Sequence, residues 1–516
     1  MKHNFFKSLV ILSAAVYMLA GTGCRKLEDF GDTNIDPNGS SQPVTGALLT
    51  SAESGLGGVV SGVTTGGTKA GLYAQYMSET QYTDASLYAE PNLDMSGTYT
   101  GPLMDLQVII NKNTDPATKS NAFTLNSGSN ANQIAVATII KSYYFWTLTD
   151  RWGDVPYSEA LKGAGNLSPA FDKQQDIYMG LLADLKAGIA GFDAGLSVQG
   201  DIMYGGDAAK WKKLANTLRM MISLRMSKVY PTAGDVAATE FALAYNDVAN
   251  GYISSNADNF TLKADAGNYK NPYYTIYESR TDYAFSKTLA DLMNNMGDNR
   301  IQAFKDPGPD FPYGLERQDA VTFTNANPTY AKFLRADLRE AGDPVVIVSA
   351  ASSLLAAAEG VERGWVNTGS AAALYNQGIT ESFAQWGVSG AAAYIASGAA
   401  NYATGTGGGS NIGSNPYGSV VGANALTTTP LERIALQRYL AYYPDGIQAW
   451  SEWRRTGIPH LTATIFATNS DAGKQIPIRY VYSTVGDYSL NPIHVAEAAG
   501  RLTGGDKMNS HIWWNP

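Results

Sequence analysis

The sequence predicts an all-α-dominated fold, in which pairs of helices pack as a superhelical scaffold with long loops and a few short strands. Three stretches indicate it: residues 429–459 form two consecutive amphipathic segments, residues 131–149 are apolar on nearly every side, and residues 208–228 place Trp211 and several aliphatic side chains on one face. Apolar residues at intervals of three and four predict helices. Because a superhelix grows by adding layers, a chain of 516 residues needs no division into several cores.

The first residues have the composition of a secretory leader. Lys2 and Lys7 precede an apolar run that ends at Ala20, and Cys24, the only cysteine, follows soon after. The run is too short to span a bilayer. A single cysteine at this junction indicates the acylation site of a bacterial lipoprotein, and the alternative is an ordinary signal peptide with an incidental cysteine. We therefore predict a signal peptide over 1–23, a lipidated tether over 24–45 and one helical domain over 46–516.

Motifs for metals, cofactors and catalysis are missing from the sequence. Asp32, Asn34 and Asp36 imitate a calcium loop, but Pro37 replaces its turn glycine and Pro43 its bidentate glutamate. The histidines after the leader form no zinc motif, and no nucleophile elbow, phosphate-binding loop or dinucleotide fingerprint occurs. We expect no metal, no cofactor and no enzyme activity.

Helical periodicity predicts the scaffold in chain order. The second helix of 429–459 begins at Asp445, after a break at Tyr443-Pro444, and Thr429 with Glu432 forms a capping box at the first. Helix pairs with an aromatic residue early in the first helix resemble tetratricopeptide units, although no strict repeat is visible. The other predicted helices span 45–58, 68–82, 131–149, 172–189, 208–228, 285–295, 350–364 and 371–386.

Trp450 and Trp453 lie one turn apart in the second helix of 429–459. We expect them to pack in the core, because burying the apolar area of an indole ring stabilises the folded state by roughly several kcal/mol. The alternative is that the two rings form a ligand platform.

The charge balance excludes some partners. The formal net charge is −9 and no basic run occurs, which argues against nucleic acid and against electrostatic docking on an anionic membrane. The chain has 31 tyrosines against 16 phenylalanines. This favours surfaces that are apolar in the ring and polar at its tip.

Several motifs in order resemble one family, the SusD/RagB-type outer-membrane nutrient-binding lipoproteins. The motifs are WGDVPY at 152–157, WKKLANTLRM at 211–220, YYPDGIQAWSEWRRTGIP at 442–459, IPIRY at 476–480, Asn491-Pro492, and Gly504-Gly505-Asp506 with Trp513-Trp514. The resemblance implies a single domain of tetratricopeptide-like helix pairs, anchored to the outer membrane at the cell surface by a lipid. It also implies ligand capture without covalent chemistry, as the lid of a SusC-like TonB-dependent transporter.

The ligand that the resemblance implies is most often an oligosaccharide or polysaccharide, and sometimes a peptide or another nutrient. A sugar ring binds its apolar face to an aromatic ring while polar side chains bond its hydroxyls. Two loop-rich segments, 73–99 and 265–283, supply such residues. The candidates for ligand contact are Tyr82, Tyr88, Asn268, Tyr269, Asn271, Tyr273, Tyr274, Tyr277 and Arg280.

Two alternatives remain for these segments. The tyrosines can instead cover the scaffold or pack on the transporter. The loop carboxylates Asp265, Glu278 and Asp282 would suit a secreted glycoside hydrolase only if two of them face each other across a bond.

The lipid anchor gives a first testable prediction. Replacing Cys24 with alanine removes the thiol that would be acylated, so the protein should leave the membrane fraction, because stable anchoring depends on the acyl chains. Fractionation of cells, with the wild-type chain as control, measures this. An unchanged distribution of Cys24→Ala would exclude the lipid anchor.

Overall fold

The computed structural model describes residues 44–61, 67–89, 92–408, 417–421, 426–469 and 473–516. Cys24 and the calcium-like run at 32–43 lie outside these residues. Thr45–Pro516 forms one compact unit. Within the described part of the chain, no helix combines the length and the apolar composition needed to cross a membrane.

Helices dominate the described residues, which confirms the predicted fold class. We number the helices of four or more residues α1–α19. Their bounds are α1 Thr45–Ser61, α2 Gly67–Tyr73, α3 Met104–Thr114, α4 Ala122–Leu125, α5 Asn130–Trp152, α6 Gln174–Ala190, α7 Ala208–Arg225, α8 Val236–Tyr245, α9 Pro272–Tyr277, α10 Lys287–Met296, α11 Ile301–Phe304, α12 Arg317–Ala326, α13 Ala350–Glu362, α14 Ala371–Gln385, α15 Ala391–Ile395, α16 Pro430–Ala441, α17 Gly446–Thr456, α18 Asp487–Leu490 and α19 Pro492–Gly500.

The strands form three small antiparallel sheets among the described residues, β1 with β5, β2 with β3 and β4 with β6. In the first sheet Met77 lies opposite Phe285 and Glu79 opposite Tyr283. The strand bounds are β1 Met77–Glu79, β2 Val155–Pro156, β3 Phe171–Asp172, β4 Phe260–Leu262, β5 Tyr283–Phe285 and β6 Val345–Val348.

Successive helices pack against each other and build the scaffold. The closest pairs are α5 with α6, α7 with α8, and α13 with α14, while α6–α7 and α13–α16 contacts join one pair to the next. The buried apolar side chains of these helices belong to one continuous core. A second, small cluster consists of Ala284, Phe311, Leu315, Ala320 and Tyr330, with Phe323 and Tyr417 packed against it.

The WGDVPY motif ends the longest helix and turns the chain. Gly153 takes φ +90°, a conformation that favours glycine, directly after α5. The Asp154 carboxylate then accepts hydrogen bonds from the backbone N–H of Gln174 at 2.8 Å and from Arg501 Nε at 2.5 Å. Val155 pairs with Asp172 in the β2–β3 ladder. The motif therefore joins α5 to α6 and to the C-terminal helix α19.

The two helices of 429–459 form as predicted. Thr429 and Glu432 make the capping box of α16, and the Asp445 carboxylate accepts the backbone N–H groups of Ile447 and Gln448 at the start of α17. Trp450 is fully buried and donates its indole N–H to the Pro477 carbonyl at 2.7 Å. The expectation of core packing is confirmed for Trp450.

Three predicted segments differ from the structure. The helix expected over 68–82 ends at Tyr73, because the chain turns at Gln75, with φ +56°, and enters β1. The loop-rich segment 265–283 contains the short helix α9. The sequence predicts no helix between residues 295 and 350, where α12 forms, and its one buried residue, Ala320, belongs to a cluster with the distant Ala284.

Burial of Trp450 generates a stability prediction. Trp450→Ala should lower the free energy of unfolding by about 3–5 kcal/mol, as for other buried aromatic residues truncated to alanine. Chemical denaturation measures the change. Trp453, only partly buried on the same helix, is the matched control, and its alanine variant should lose less. Equal losses for the two variants would contradict the assigned role of Trp450.

Asp445 generates a prediction of pH dependence. Burial raises the pKa of Asp445 from 3.8 to about 7, although the N–H groups of Gln448 and Ile447 act to lower it. Because the folded-state pKa is the higher one, this group's contribution to stability is complete below pH 3.8 and is lost as the pH rises to about 7. The upper limit of the loss is roughly 4 kcal/mol.

Asp445→Asn keeps the helix cap and removes the titration. Between about pH 4 and pH 8, the stability of the wild type should therefore fall relative to that of the variant. Urea denaturation across this range measures the difference. A difference independent of pH would show that Asp445 does not titrate in this window.

Candidate ligand-binding face

Two chain segments meet at one end of the β1–β5 ladder. Beyond the Glu79–Tyr283 pair, the backbone N–H of Thr80 donates to the Asp282 carbonyl at 2.9 Å, and Thr80 Oγ1 donates to the Thr281 carbonyl at 2.7 Å. The segments then separate. This junction holds Tyr82 and Arg280 near each other, each two residues from it.

Helix α12 closes a third side of this junction. Thr324 Oγ1 donates to the Thr80 carbonyl at 3.2 Å, and the ring of Phe323 contacts Phe311 with centroids 4.7 Å apart. The hydroxyl of Tyr330, just after the helix, donates to the Thr281 carbonyl at 2.8 Å. These contacts orient α12 so that its first residue reaches the ring of Tyr82.

Two arginines lie against the ring of Tyr82 at the surface. The Cζ atoms of Arg280 and Arg317 lie 5.3 Å and 5.2 Å from the centroid of its ring. At 49% exposure, Tyr82 is the one tyrosine of the described residues that is largely in solvent. Each cation–ring contact at such an exposed position is worth about 0.5–1 kcal/mol. We call Tyr82, Arg280 and Arg317 the Tyr82 face.

The loop that bears Tyr82 is fixed from both ends. The buried Glu79 carboxylate accepts the backbone N–H of Ser86 at 2.9 Å and its hydroxyl at 2.8 Å. Burial raises the pKa of Glu79, while the bonds from Ser86 act to lower it. At the far end Tyr88 is buried with φ +62° and accepts a hydrogen bond from the Tyr313 hydroxyl at 3.3 Å. The face is therefore ordered before any ligand binds.

Arg280 has a carboxylate partner within the face. It forms an ion pair with Asp282, and hydrogen bonding to that carboxylate raises the pKa of Arg280. More than half of its side chain is exposed. Its remaining N–H groups stay available to a ligand at the surface.

Three predicted contact residues are instead buried. Tyr88 lies in the core, where burial raises the pKa of its hydroxyl to about 12. Asn271 caps α9 by accepting the backbone N–H of Tyr273 at 2.8 Å and donates to the Asp343 carbonyl at 3.1 Å. Tyr273 packs on Phe333. The sequence placed these side chains on exposed loops, and their burial removes them from the candidate face.

Tyr277 is half-buried and serves the fold. Its hydroxyl accepts the backbone N–H of Phe333 at 3.0 Å and donates to the Tyr283 carbonyl at 3.2 Å. Lys332 and Arg339 also lie against its ring. Because the side chain is half-buried and its hydroxyl is engaged by the backbone, little of Tyr277 is open to a ligand.

Of the other three predicted residues, Asn268 and Tyr269 lie on a separate turn before α9, and Tyr274 lies within α9. Asn268 donates to Asp265 at 2.8 Å, and a backbone bridge pairs Asp265 with Tyr269. Lys270 lies 5.4 Å from the ring of Tyr274. Among the hydrogen bonds, ion pairs and ring contacts of the described residues, none joins this turn to the Tyr82 face.

Sequence reasoning missed Arg317 and a pair of stacked rings. Arg317 lay in a passage without periodicity, and no local signal distinguishes it. Tyr417 stacks on Phe466 with centroids 5.7 Å apart and an interplanar angle of 19°. Phe466 belongs to a chain segment that lies beside the loop bearing Tyr82, since Thr468 donates its backbone N–H to the Leu87 carbonyl at 2.8 Å.

Clefts occur elsewhere on the surface. An apolar cleft of about 240 Å³ lies between Tyr99 and Phe171, and a more polar one of about 400 Å³ adjoins Lys141 and Tyr157. Asn271 and Tyr273 line a third, of about 160 Å³. The first and the third are smaller than common ligand pockets, and none of the three includes a residue of the Tyr82 face. We favour the Tyr82 face as the candidate site because it holds the most exposed tyrosine of the described residues.

The residues that the structure describes include no candidate metal site. Within them, no group of three or more His, Cys, Asp and Glu side chains is arranged to hold a metal ion. The carboxylates near the face have other roles, as Asp282 pairs with Arg280 and Glu278 pairs with Lys270 at 2.6 Å. The arrangement suits non-covalent binding through an aromatic ring and guanidinium donors.

Comparison with known families gives one match across most of the chain. A SusD-like family profile, described as starch-binding and associating with the outer membrane, matches residues 37–483. No curated protein matches the chain at a significant level.

Solved structures share the fold along nearly their whole length. A chitin-binding SusD homologue from Flavobacterium johnsoniae is 24% identical, with a TM-score of 0.74 over 91% of this chain and 98% of its own. A SusD homologue from Bacteroides uniformis is 26% identical, with a TM-score of 0.74 over 91% and 99%. A chitin-binding protein is 27% identical, with a TM-score of 0.71 over 92% and 100%.

Proposed function

This chain belongs to the SusD-like family, and from that premise we propose that it captures a glycan at the cell surface and delivers it to a SusC-like TonB-dependent outer-membrane transporter. The glycan is an oligosaccharide or a polysaccharide, bound at the Tyr82 face. Binding involves no bond cleavage, so the protein is not an enzyme.

The observation that supports this proposal best is the solvent-facing ring of Tyr82 with two arginines against it. A sugar has an apolar ring face and hydroxyls around its edge, so an aromatic ring flanked by hydrogen-bond donors complements it. Arg280 and Arg317 each have about five N–H groups, and among the described residues only the Arg280 Nε–H is engaged, by Asp282. No other tyrosine of the described residues combines this exposure with such donors.

The similar structures support a glycan as the ligand. Two of them are named as chitin-binding, at 24% and 27% identity. These names apply to those proteins, and chito-oligosaccharides are accordingly the first neutral ligand to test here. A peptide or another nutrient remains the alternative outcome of that test.

The proposal of delivery to a transporter is based on the leader sequence and on the family to which the chain belongs. Cys24 after the apolar leader would anchor the chain by lipid, and the family description includes association with the outer membrane. A lipid-anchored protein at that surface remains close to an outer-membrane barrel. The open face would then hold the glycan until the barrel takes it up.

The Tyr82→Ala variant tests the proposed site. Removing the ring should weaken binding of a retained glycan about tenfold, because loss of about 1.4 kcal/mol of contact corresponds to that factor. Affinity electrophoresis against a panel of polysaccharides, followed by calorimetry on oligosaccharides, measures it. Phe123→Ala is the matched control, since Phe123 is 58% exposed and lies on α4.

Three outcomes decide between the candidates. Retardation that Tyr82→Ala abolishes and Phe123→Ala preserves would support the proposal. Retardation that Tyr82→Ala leaves intact would place the glycan elsewhere on the molecule. New reducing ends after incubation would instead support a hydrolase.

A further inference from the structure

Arg317 is unusual among the arginines of the described residues. Its side chain is exposed at the start of α12 and forms neither an ion pair nor a hydrogen bond with any other described residue. Its one recorded contact is the ring of Tyr82, 5.2 Å from Cζ to the centroid. Glu316 and Asp319 flank it in the sequence, but neither forms an ion pair with it within 4.0 Å.

The other arginines of the described residues have partners. Most pair with a carboxylate, and the rest donate hydrogen bonds to backbone carbonyls. Even at the surface, Arg335 pairs with Asp337 at 2.5 Å and Arg501 with Asp154 at 2.5 Å. In a chain of net charge −9, carboxylates are plentiful, so an arginine without one is unexpected.

The chemistry of a guanidinium group indicates which ligand group Arg317 would bind. Its planar fork of N–H donors matches a carboxylate or a sulfate, which it binds through two parallel hydrogen bonds. Such charge-assisted bonds are roughly twice as strong as neutral ones. Arg280 contributes less net charge, because Asp282 neutralises it. Beside the ring of Tyr82, therefore, the face presents one unpaired positive charge.

We propose that the glycan of the Tyr82 face has an anionic group, the carboxylate of a uronic acid or a sulfate ester, which binds Arg317 while a sugar ring contacts Tyr82. This inference rests on the proposed function and narrows its ligand to acidic glycans. Neutral glycans share the ring contact with Tyr82 and lack the bidentate contact with Arg317.

The test compares matched charged and neutral probes on the purified mature protein by calorimetry at low salt. One pair is oligogalacturonate and its methyl ester, and the other is chondroitin sulfate oligosaccharides before and after desulfation. Chito-oligosaccharides serve as the neutral reference. We expect the charged member of one pair to bind at least about tenfold tighter than its neutral partner, because it alone forms the charge-assisted bonds.

Two variants test whether Arg317 causes the difference in affinity between the charged and the neutral probes. Arg317→Gln should lower the affinity for the charged probe far more than that for the neutral probe and so remove the preference, whereas Arg317→Lys should retain part of the preference, as a point charge without the fork. Arg335→Gln, at a partly exposed arginine that has its own carboxylate, is the matched control. Its preference should equal that of the wild type.

The outcomes separate this inference from the proposed function. If the galacturonate pair shows the preference, the anion is a carboxylate, and if the chondroitin pair shows it, the anion is a sulfate. Equal affinities within both pairs, or a preference that Arg317→Gln retains, would overturn the inference and leave glycan binding at Tyr82 intact. Failure of every charged and neutral probe to bind would overturn both.

Discussion

The interaction on which the rest of the structure depends is a buried cluster of two glutamates and two arginines. Arg455 of α17 pairs with Glu359 of α13 at 2.6 Å and with Glu452 at 2.6 Å, and Arg438 of α16 pairs with Glu359 at 2.7 Å. Burial acts to raise the pKa of Glu359, but the guanidinium groups of Arg455, Arg363 and Arg438 lower it below its ordinary value. Because an unpaired buried charge costs several kcal/mol, each of the three helices is tied to the other two.

This cluster positions the Tyr82 face through α16 and α17. Tyr439 of α16 donates its hydroxyl to the Ala74 carbonyl at 2.6 Å, just before β1, and Tyr76 donates back to the Tyr439 carbonyl. At the start of α17, Gly446 approaches the backbone of Gly71 so closely that a Cβ would lie 2.3 Å from its nitrogen. The segment that leads into β1 is thus fixed against the charged core, and β1 in turn fixes the junction from which Tyr82 projects.

The sequence predicts this scaffold better than it predicts the face. Local signals, such as the Thr429–Glu432 capping box and the helical spacing of apolar residues around Trp450, depend only on residues a few positions apart in the sequence. They can therefore be interpreted without a structure. Burial of Tyr88 and Tyr273 depends on Tyr313 and Phe333, which are far along the chain. Loop composition alone gives the same expectation for a tyrosine that faces solvent and one that fills the core. Tertiary contacts alone therefore distinguish Tyr82 from the other candidates.

The proposed binding of an acidic glycan by an acidic protein requires the attraction between them to be local. The net charge of −9 repels a polyanion at long range, but salt screens this repulsion beyond roughly 10 Å at 0.1 M. At contact distance, the nearest unpaired charge dominates the electrostatic interaction with a ligand, and on the Tyr82 face that charge is Arg317. The aromatic ring adds a contact that salt does not weaken. Under that proposal, the face selects its ligand by the chemistry of one substituent.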